Sequence, residues 1–318
     1  ARTYLQIVGG FCILNALIPI CSSYLRAFGF SKEPLYASII GNVINFCLNA
    51  FFLFVLHKGV AGVATATVVS RIINLVIVVL LGAVLVKAKK HPERESNREV
   101  MGQIIRIGLP SACETAIYNV SMTLVIRFLN QMDAQGLNVT ARSYTMQITN
   151  FSYCVGAALA QANAIMTGWR IGAKEYDACD RGTRKAAIIG VIVAVILETM
   201  FALCSGWIMQ LFSKDPQMVS LVGKLLAIDI VLEMGRVTNL VYGQALKTSG
   251  DAVFPVVMGA CFMILCSVGG TYLFGIRLGL LAVGAYIGMA GDECVRAIGM
   301  YLRWKSGKWK QKGLVKSR

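Results

Sequence analysis

Seven ionisable side chains lie in stretches of sequence that are otherwise mostly apolar, and their spacing groups them. Glu114 stands first; Asp229, Glu233 and Arg236 form a second group, and Asp292, Glu293 and Arg296 a third. At about 100° per residue, the step from 229 to 233 turns about 40° and that from 229 to 236 about 20° the other way, so these three share one helical stripe. Asp292 with Arg296, and Glu293 with Arg296, stand four and three residues apart, the spacings at which helical side chains meet. The set holds five carboxylates against two guanidinium groups, so part of its negative charge has no basic partner within it. Burial favours the neutral form of a carboxyl group and a nearby arginine favours its anion. A carboxyl group balanced between the two can take up a proton or cation and release it. Glu114, Asp229, Glu233, Asp292 and Glu293 are therefore the candidate ion- or substrate-binding residues, with Arg236 and Arg296 as charge partners. The competing reading is a static network that holds helices together. Arg71 and Glu198 each stand alone in other apolar stretches. Arg71 is expected either to reach an acid outside these residues or to face water.

Other chemistries find little support. His57 and His91 both fall at loop positions, and none of the ten cysteines is spaced as CxxC or has a histidine beside it. Metal sites and disulfide frameworks need clustered ligands, so the thiols read as small apolar packing groups. No GxSxG, HExxH or phosphate-binding glycine loop occurs. The chain is therefore read as no enzyme, without metal or organic cofactor.

The elements that position these charges follow from composition. The 318 residues are 56% hydrophobic and 15% charged, with mean hydropathy +0.65, whereas about a quarter of a soluble domain is charged. A spanning helix needs about 20 mostly apolar residues. Nine stretches qualify, near 3–25, 35–57, 59–86, 103–130, 138–169, 185–213, 219–247, 252–276 and 278–303. A membrane barrel would show shorter alternating segments, while helices close their own backbone hydrogen bonds in lipid. The expected fold is an all-α polytopic membrane protein with nine transmembrane helices here. Successive loops then alternate sides, and 21 basic residues fall on one side against 4 on the other. By the positive-inside rule the basic side, and with it the C-terminus, is cytoplasmic. The net charge of +15 is dispersed over five such segments, so the expected partner is the membrane rather than nucleic acid. Trp304 and Trp309, set among lysines, are expected to rest on anionic headgroups. Pro110 and Pro255 read as first-turn prolines, Pro19 as a kink, and Asn42, Asn45 and Asn49 as donors between helices. Methionines and Tyr118, Phe151, Tyr153 and Tyr242 either line a permissive cavity or simply pack. Gly156, Gly168, Gly172, Gly269 and Gly270 are expected to let helices approach.

The chain also repeats itself. At an offset of 221, Leu25, Arg26, Gly29 and Pro34 fall on Leu246, Lys247, Gly250 and Pro255, and Gly59-Val60-Ala61-Gly62 resembles Gly279 to Gly284 with one inserted residue. Each copy reads as a span, a basic-glycine turn, a span, a glycine-rich turn and a span. The expected organisation is 1–86 as the second half of an N-lobe, 87–102 as an inter-lobe loop, 103–303 as a six-helix C-lobe and 304–318 as a basic tail. On this count three N-terminal spans, about 120 residues, would lie outside the sequence, and the chain alone would not transport.

Gly108-Leu109-Pro110, the Gly168…Gly172-Ala173 segment, Leu246-Lys247-Thr248-Ser249-Gly250-Asp251 with Pro255, Asp292-Glu293-Cys294-Val295-Arg296, and the tail from Arg303 to Trp309 together resemble the multidrug and toxic compound extrusion (MATE) family over essentially the whole chain. The resemblance implies twelve helices in two six-helix lobes, related as a 6+6 repeat. It implies a monomeric secondary antiporter in the bacterial inner membrane that exports organic, often cationic, compounds in exchange for H⁺ or Na⁺ by alternating access. The alternative is a flippase for a lipid-linked or polysaccharide precursor, for which the acid-rich set above is less suited than a basic cavity. One branch of the family places acids where this chain has Tyr118 and Arg236, so that branch's sodium pattern does not carry over. The N-lobe carboxylate tied to proton coupling would lie in the missing spans.

Overall fold

Each apolar stretch folds as helix, because a chain deprived of water must close its backbone hydrogen bonds on itself. The computed structural model describes residues 2–86, 97–132 and 136–312, and among these helix is the only regular structure. In chain order the helices are α1 (Arg2–Gly10), α2 (Ile13–Ala27), α3 (Lys32–Ala50), α4 (Gly59–Leu85), α5 (Asn97–Met132), α6 (Leu137–Gly172), α7 (Tyr176–Leu203), α8 (Ser205–Met209), α9 (Pro216–Thr248), α10 (Val253–Phe262) and α11 (Leu281–Lys305). α3 continues as a π-helical stretch, Phe51–Val55, and α10 is followed by two more, Met263–Val268 and Thr271–Arg277. Four of these rods, Lys32–Val55, Gly59–Leu85, Tyr176–Leu203 and Val253–Arg277, are long and apolar enough to cross a membrane, and α1 with α2 makes a fifth if that bent pair is one span. The long helices α5, α6, α9 and α11 carry the charged side chains described below. Large apolar groups such as Phe54, Leu203 and Leu211 face outward, the arrangement expected where lipid is the solvent.

The chain divides into two compact units, Ala1–Arg94 and Glu95–Arg318. Most of the expected inter-lobe loop, including Lys87, Lys89, Lys90, His91 and Arg94, lies outside the described residues, as does the end of the tail from Gly313. In the first unit α1, α2 and α3 all pack on α4 around Leu25, Ala37, Val78 and Val86. Asn45 donates to Ser70 Oγ at 3.1 Å, joining α3 to α4, and Asn49 donates to Asn45; Asn42 is exposed. The expected kink at Pro19 is not the bend of this pair. The 43° bend falls between α1 and α2, where Gly9-Gly10 weakens the helix, while Pro19 lies inside α2.

In the second unit α9 is central and packs on α6, α7 and α11. Asp215 caps it by accepting the Gln217 amide at 3.0 Å, with Pro216 in the first turn, where its missing N–H costs nothing. A Cβ on Gly235 would stand 2.8 Å from Cys294 N and Glu293 C, so α9 and α11 nearly touch backbone to backbone there. That contact lays the 229–236 stripe against Asp292–Arg296. Gly156 lets Val237 of α9 approach α6, and Gly270 meets Gly288 of α11, but Gly172 has no neighbour there. Pro110 is not a first-turn proline: α5 begins at Asn97 and carries Pro110 in its interior.

The repeat is written in the backbone. Gly29 and Gly250 both have φ of 90°, and Phe30 N–H donates to Leu25 O at 3.0 Å as Asp251 N–H does to Leu246 O at 2.9 Å. Later, Lys58 N–H to Phe52 O at 3.0 Å is matched by Leu280 to Phe274 at 3.1 Å, and Gly62 to Lys58 by Gly284 to Leu280, both at 3.2 Å. His57 and Gly59, at φ 48° and 51°, correspond to Gly279 and Leu281, at 69° and 52°. Both glycine-rich turns therefore share one backbone trace, shifted by the inserted residue.

The tail departs from expectation. Trp304 and Trp309 are buried at 2% and 1% exposure, so they do not lie on headgroups. They stack on each other with ring centres 4.1 Å apart, and Trp304 Nε1 donates to Asp180 at 2.8 Å. Asp251, in the basic-glycine turn, accepts from Arg303 Nε at 2.7 Å and Lys312 Nζ at 2.8 Å. Burial pushes its carboxyl up, but Arg303 and Lys312 outweigh that and hold it below the ordinary carboxylate value. A depressed carboxylate contributes stability above its unfolded value of about 3.9 and loses it as pH falls through the lower folded value. The tail is thus expected to stay docked at neutral pH and loosen only below about pH 4. Asp251→Asn should loosen it at neutral pH by about 1–3 kcal/mol, read as faster tryptic cleavage at Lys305 to Lys310; an unchanged cleavage rate would count against the clasp.

Candidate functional site

The second unit encloses a cavity of about 470 Å³. Glu114, Tyr118 and Met122 reach it from α5, Arg142 and Tyr153 from α6, Asp229, Arg236 and Lys247 from α9, and Tyr286, Asp292, Glu293 and Arg296 from α11. Four of the five predicted acids thus line one cavity. Glu233 does not line it, and Arg71 belongs to the first unit, half-buried with no ion pair among the described residues.

The charges form two networks. In the first, Arg296 bonds Asp292 through Nε at 2.9 Å and NH2 at 3.0 Å, and Glu293 through NH2 at 2.9 Å. Ser267 donates to Asp292 at 2.9 Å. Glu293 continues the chain, accepting from Asn239 at 3.1 Å and lying 3.6 Å from Arg236 Nε. Arg236 in turn bonds Glu233 and sits over the Tyr153 ring. The sequence spacing anticipated the Arg296 pairs; the link through Glu293 follows from the close α9–α11 contact. The second network is one bond, Lys247 Nζ to Glu114 Oε2 at 2.6 Å. Lys247 was expected in the basic loop set, but it occupies the last turn of α9 and reaches Glu114 across the cavity rim.

Three acids remain short of partners. Asp229, 2% exposed, has Oδ2 without a hydrogen bond, and Glu233 has Oε2 likewise. Glu198, fully buried on α7, has neither oxygen bonded and lies near Asp229 and Glu233. Spacing within one helix could not place it.

Arg142 also escaped the sequence reading. It is 7% exposed, lines the cavity, and among the described residues makes one side-chain hydrogen bond, to Met122 Sδ at 3.7 Å, leaving Nε unbonded. With Arg142 and Lys247 counted, the cavity lining carries four cations against four carboxylates; buried Glu233 and Glu198 lie outside that lining and leave the acids in excess. Tyr118 and Tyr153 line the cavity with Met122, Met146, Met263, Met289 and Met300. Phe151 faces outward, and Tyr242 packs in the core against Tyr301 and Trp304. No group of three His, Cys, Asp or Glu able to hold a metal occurs among the described residues.

The MatE family model matches residues 110–273. The uncharacterized transporter YisQ of Bacillus subtilis (strain 168) is 34% identical over 321 residues, covering 99% of this chain and 70% of its own length. The probable multidrug resistance protein NorM of Thermotoga maritima is 23% identical, covering 99% and 68%. Among solved structures, a MATE protein in its straight conformation superposes with a TM-score of 0.85 at 19% identity, over 97% of this chain and 70% of that one. The MATE transporter ClbM in complex with Rb⁺ gives 0.79 at 18% identity, over 93% and 66%. At those identities the structural likeness concerns the fold, and the chain spans about two thirds of the length of these proteins.

Proposed function

This chain belongs to the MatE family, whose members are multi-pass membrane transporters, and on that premise we propose that it serves as a secondary antiporter. It exports organic, often cationic, compounds in exchange for H⁺ or Na⁺, its two lobes opening a central cavity alternately to each side of a bacterial inner membrane, with the C-terminus in the cytoplasm. Relatives named as multidrug resistance proteins support the substrate class, and the basic loops support the orientation. The observation that carries the reading is Asp229, a buried carboxylate on the cavity wall with an oxygen left unbonded. A buried anion without a full set of partners is costly, so a proton or cation arriving there lowers the energy of the conformation that admits it. A ligand bound more tightly by one conformation shifts the population toward it. Of the two ions, H⁺ is the better supported: a carboxylate suffices for a proton, whereas a metal cation needs several oxygen ligands, and Arg236 stands beside this acid. Ethidium efflux from pump-deficient cells making the complete two-lobe protein is expected to stop on addition of a protonophore and to continue with a sodium ionophore. The reverse pattern would assign Na⁺; no efflux with any organic dye would remove the reading.

A further inference from the structure

Arg142 is the cavity's unspent charge. The guanidinium stays protonated at any physiological pH and offers five N–H donors in a planar fork. Buried charges in proteins are paired or hydrogen-bonded. Arg236 and Arg296 obey this, with two carboxylates each, and so does Lys247 with Glu114. Arg142, nearly as buried as Arg296 and more so than Arg236, has a thioether for its hydrogen-bond partner, and no carboxylate among the described residues lies within ion-pair distance of it. Among the described residues it does not serve as a cross-link between charges, for its side chain bonds only the Met122 sulfur. Its Nε has no partner, and the residue opens onto a cavity large enough for an organic molecule. Tyr286, itself on the wall, lies within electrostatic reach of both Arg142 and Asp229. An incompletely bonded cation and an incompletely bonded anion therefore line one cavity without pairing with each other.

We propose that Arg142 is an anion subsite of this cavity, so that its preferred ligands carry a carboxylate or similar planar anion in addition to the cationic group that faces Asp229. The preferred substrates are then zwitterionic organic compounds, with simple cations such as ethidium bound more weakly. A carboxylate supplies two parallel acceptors to the guanidinium fork, the strongest geometry available to either group, and repays the partner Arg142 lacks. This rests on the reading of the cavity as the transport site.

Two dyes with one fluorophore separate the two claims: rhodamine 110, a zwitterion with a free benzoate, and rhodamine 123, its methyl ester cation. Binding is measured by fluorescence anisotropy on the purified chain in lipid nanodiscs. The wild type should bind the acid about tenfold more tightly than the ester. Arg142→Gln should erase that preference, and Arg142→Lys, which keeps the charge but loses the fork, should retain part of it. Thermal unfolding of each variant shows that it is folded, and the Lys variant carries the test if the Gln variant is not. A wild type that prefers the ester, or an Arg142→Gln variant that keeps the preference for the acid, overturns the inference and leaves the transport reading standing. Failure of either dye to bind wild type, together with absent dye efflux, overturns both.

Discussion

Arg296→Met is expected to destabilise the second unit by about 3–5 kcal/mol. The guanidinium is 5% exposed and holds Asp292 and Glu293, themselves 2% and 11% exposed at the side chain. Removing it strands two largely buried carboxylates, and breaking one side of a buried ion pair costs far more than the pair contributes. The damage also spreads, since Glu293 joins Arg296 to Arg236 and through it to Glu233. The companion variant sharpens the expectation. Asp292→Asn, Glu293→Gln and Arg296→Met made together neutralise the whole knot, and most of the lost stability should return because no uncompensated charge remains. Thermal unfolding in detergent reads both. A single variant as stable as wild type would show that these side chains are solvated, contrary to the burial described.

The sequence showed what is local. The shared stripe of Asp229, Glu233 and Arg236 and the i,i+3 and i,i+4 partners of Arg296 depend on helical periodicity alone, and each stands where periodicity puts it; the apolar stretches are helical, four of them long and apolar enough to cross a membrane and a fifth if the bent α1–α2 pair is one span. The repeat was visible for a related reason: a turn that needs φ > 0 keeps its glycine, so Gly29 and Gly250 mark the same backbone twice. What was hidden depends on which helices meet and how far each slides past its neighbour. Lys247 and Glu114 are 133 residues apart, and only the placement of α9 against α5 makes them a pair. Arg142 stands near the start of α6 and reads from sequence as the end of a span; the cavity extends far enough along the helix to include it. The tryptophans misled because an aromatic among lysines is an interfacial pattern, while Asp180 in the first turns of α7 and Asp251 in the turn after α9, which draw the tail inward, lie far from it in the sequence.

Asp229→Asn is expected to lower export at least about tenfold while raising stability by about 1–3 kcal/mol. The opposite signs follow from one fact, the unbonded oxygen of a buried anion. Neutralising it removes a desolvation cost the fold otherwise bears, and removes with it the group whose charge state is proposed to drive the exchange. Glu233→Gln should lower export too but without the gain, since it forfeits the bond to Arg236. Glu198→Gln should stabilise most cleanly, because neither of its oxygens is bonded. Dye efflux and thermal unfolding measured on the same preparations separate these outcomes. A static network predicts the reverse for Asp229, stability and transport moving together or not at all. Undiminished export in the single neutral variants of Glu114, Asp229, Glu233, Asp292 and Glu293 would leave the carboxylates with a structural role only, and the driving ion would have to act elsewhere.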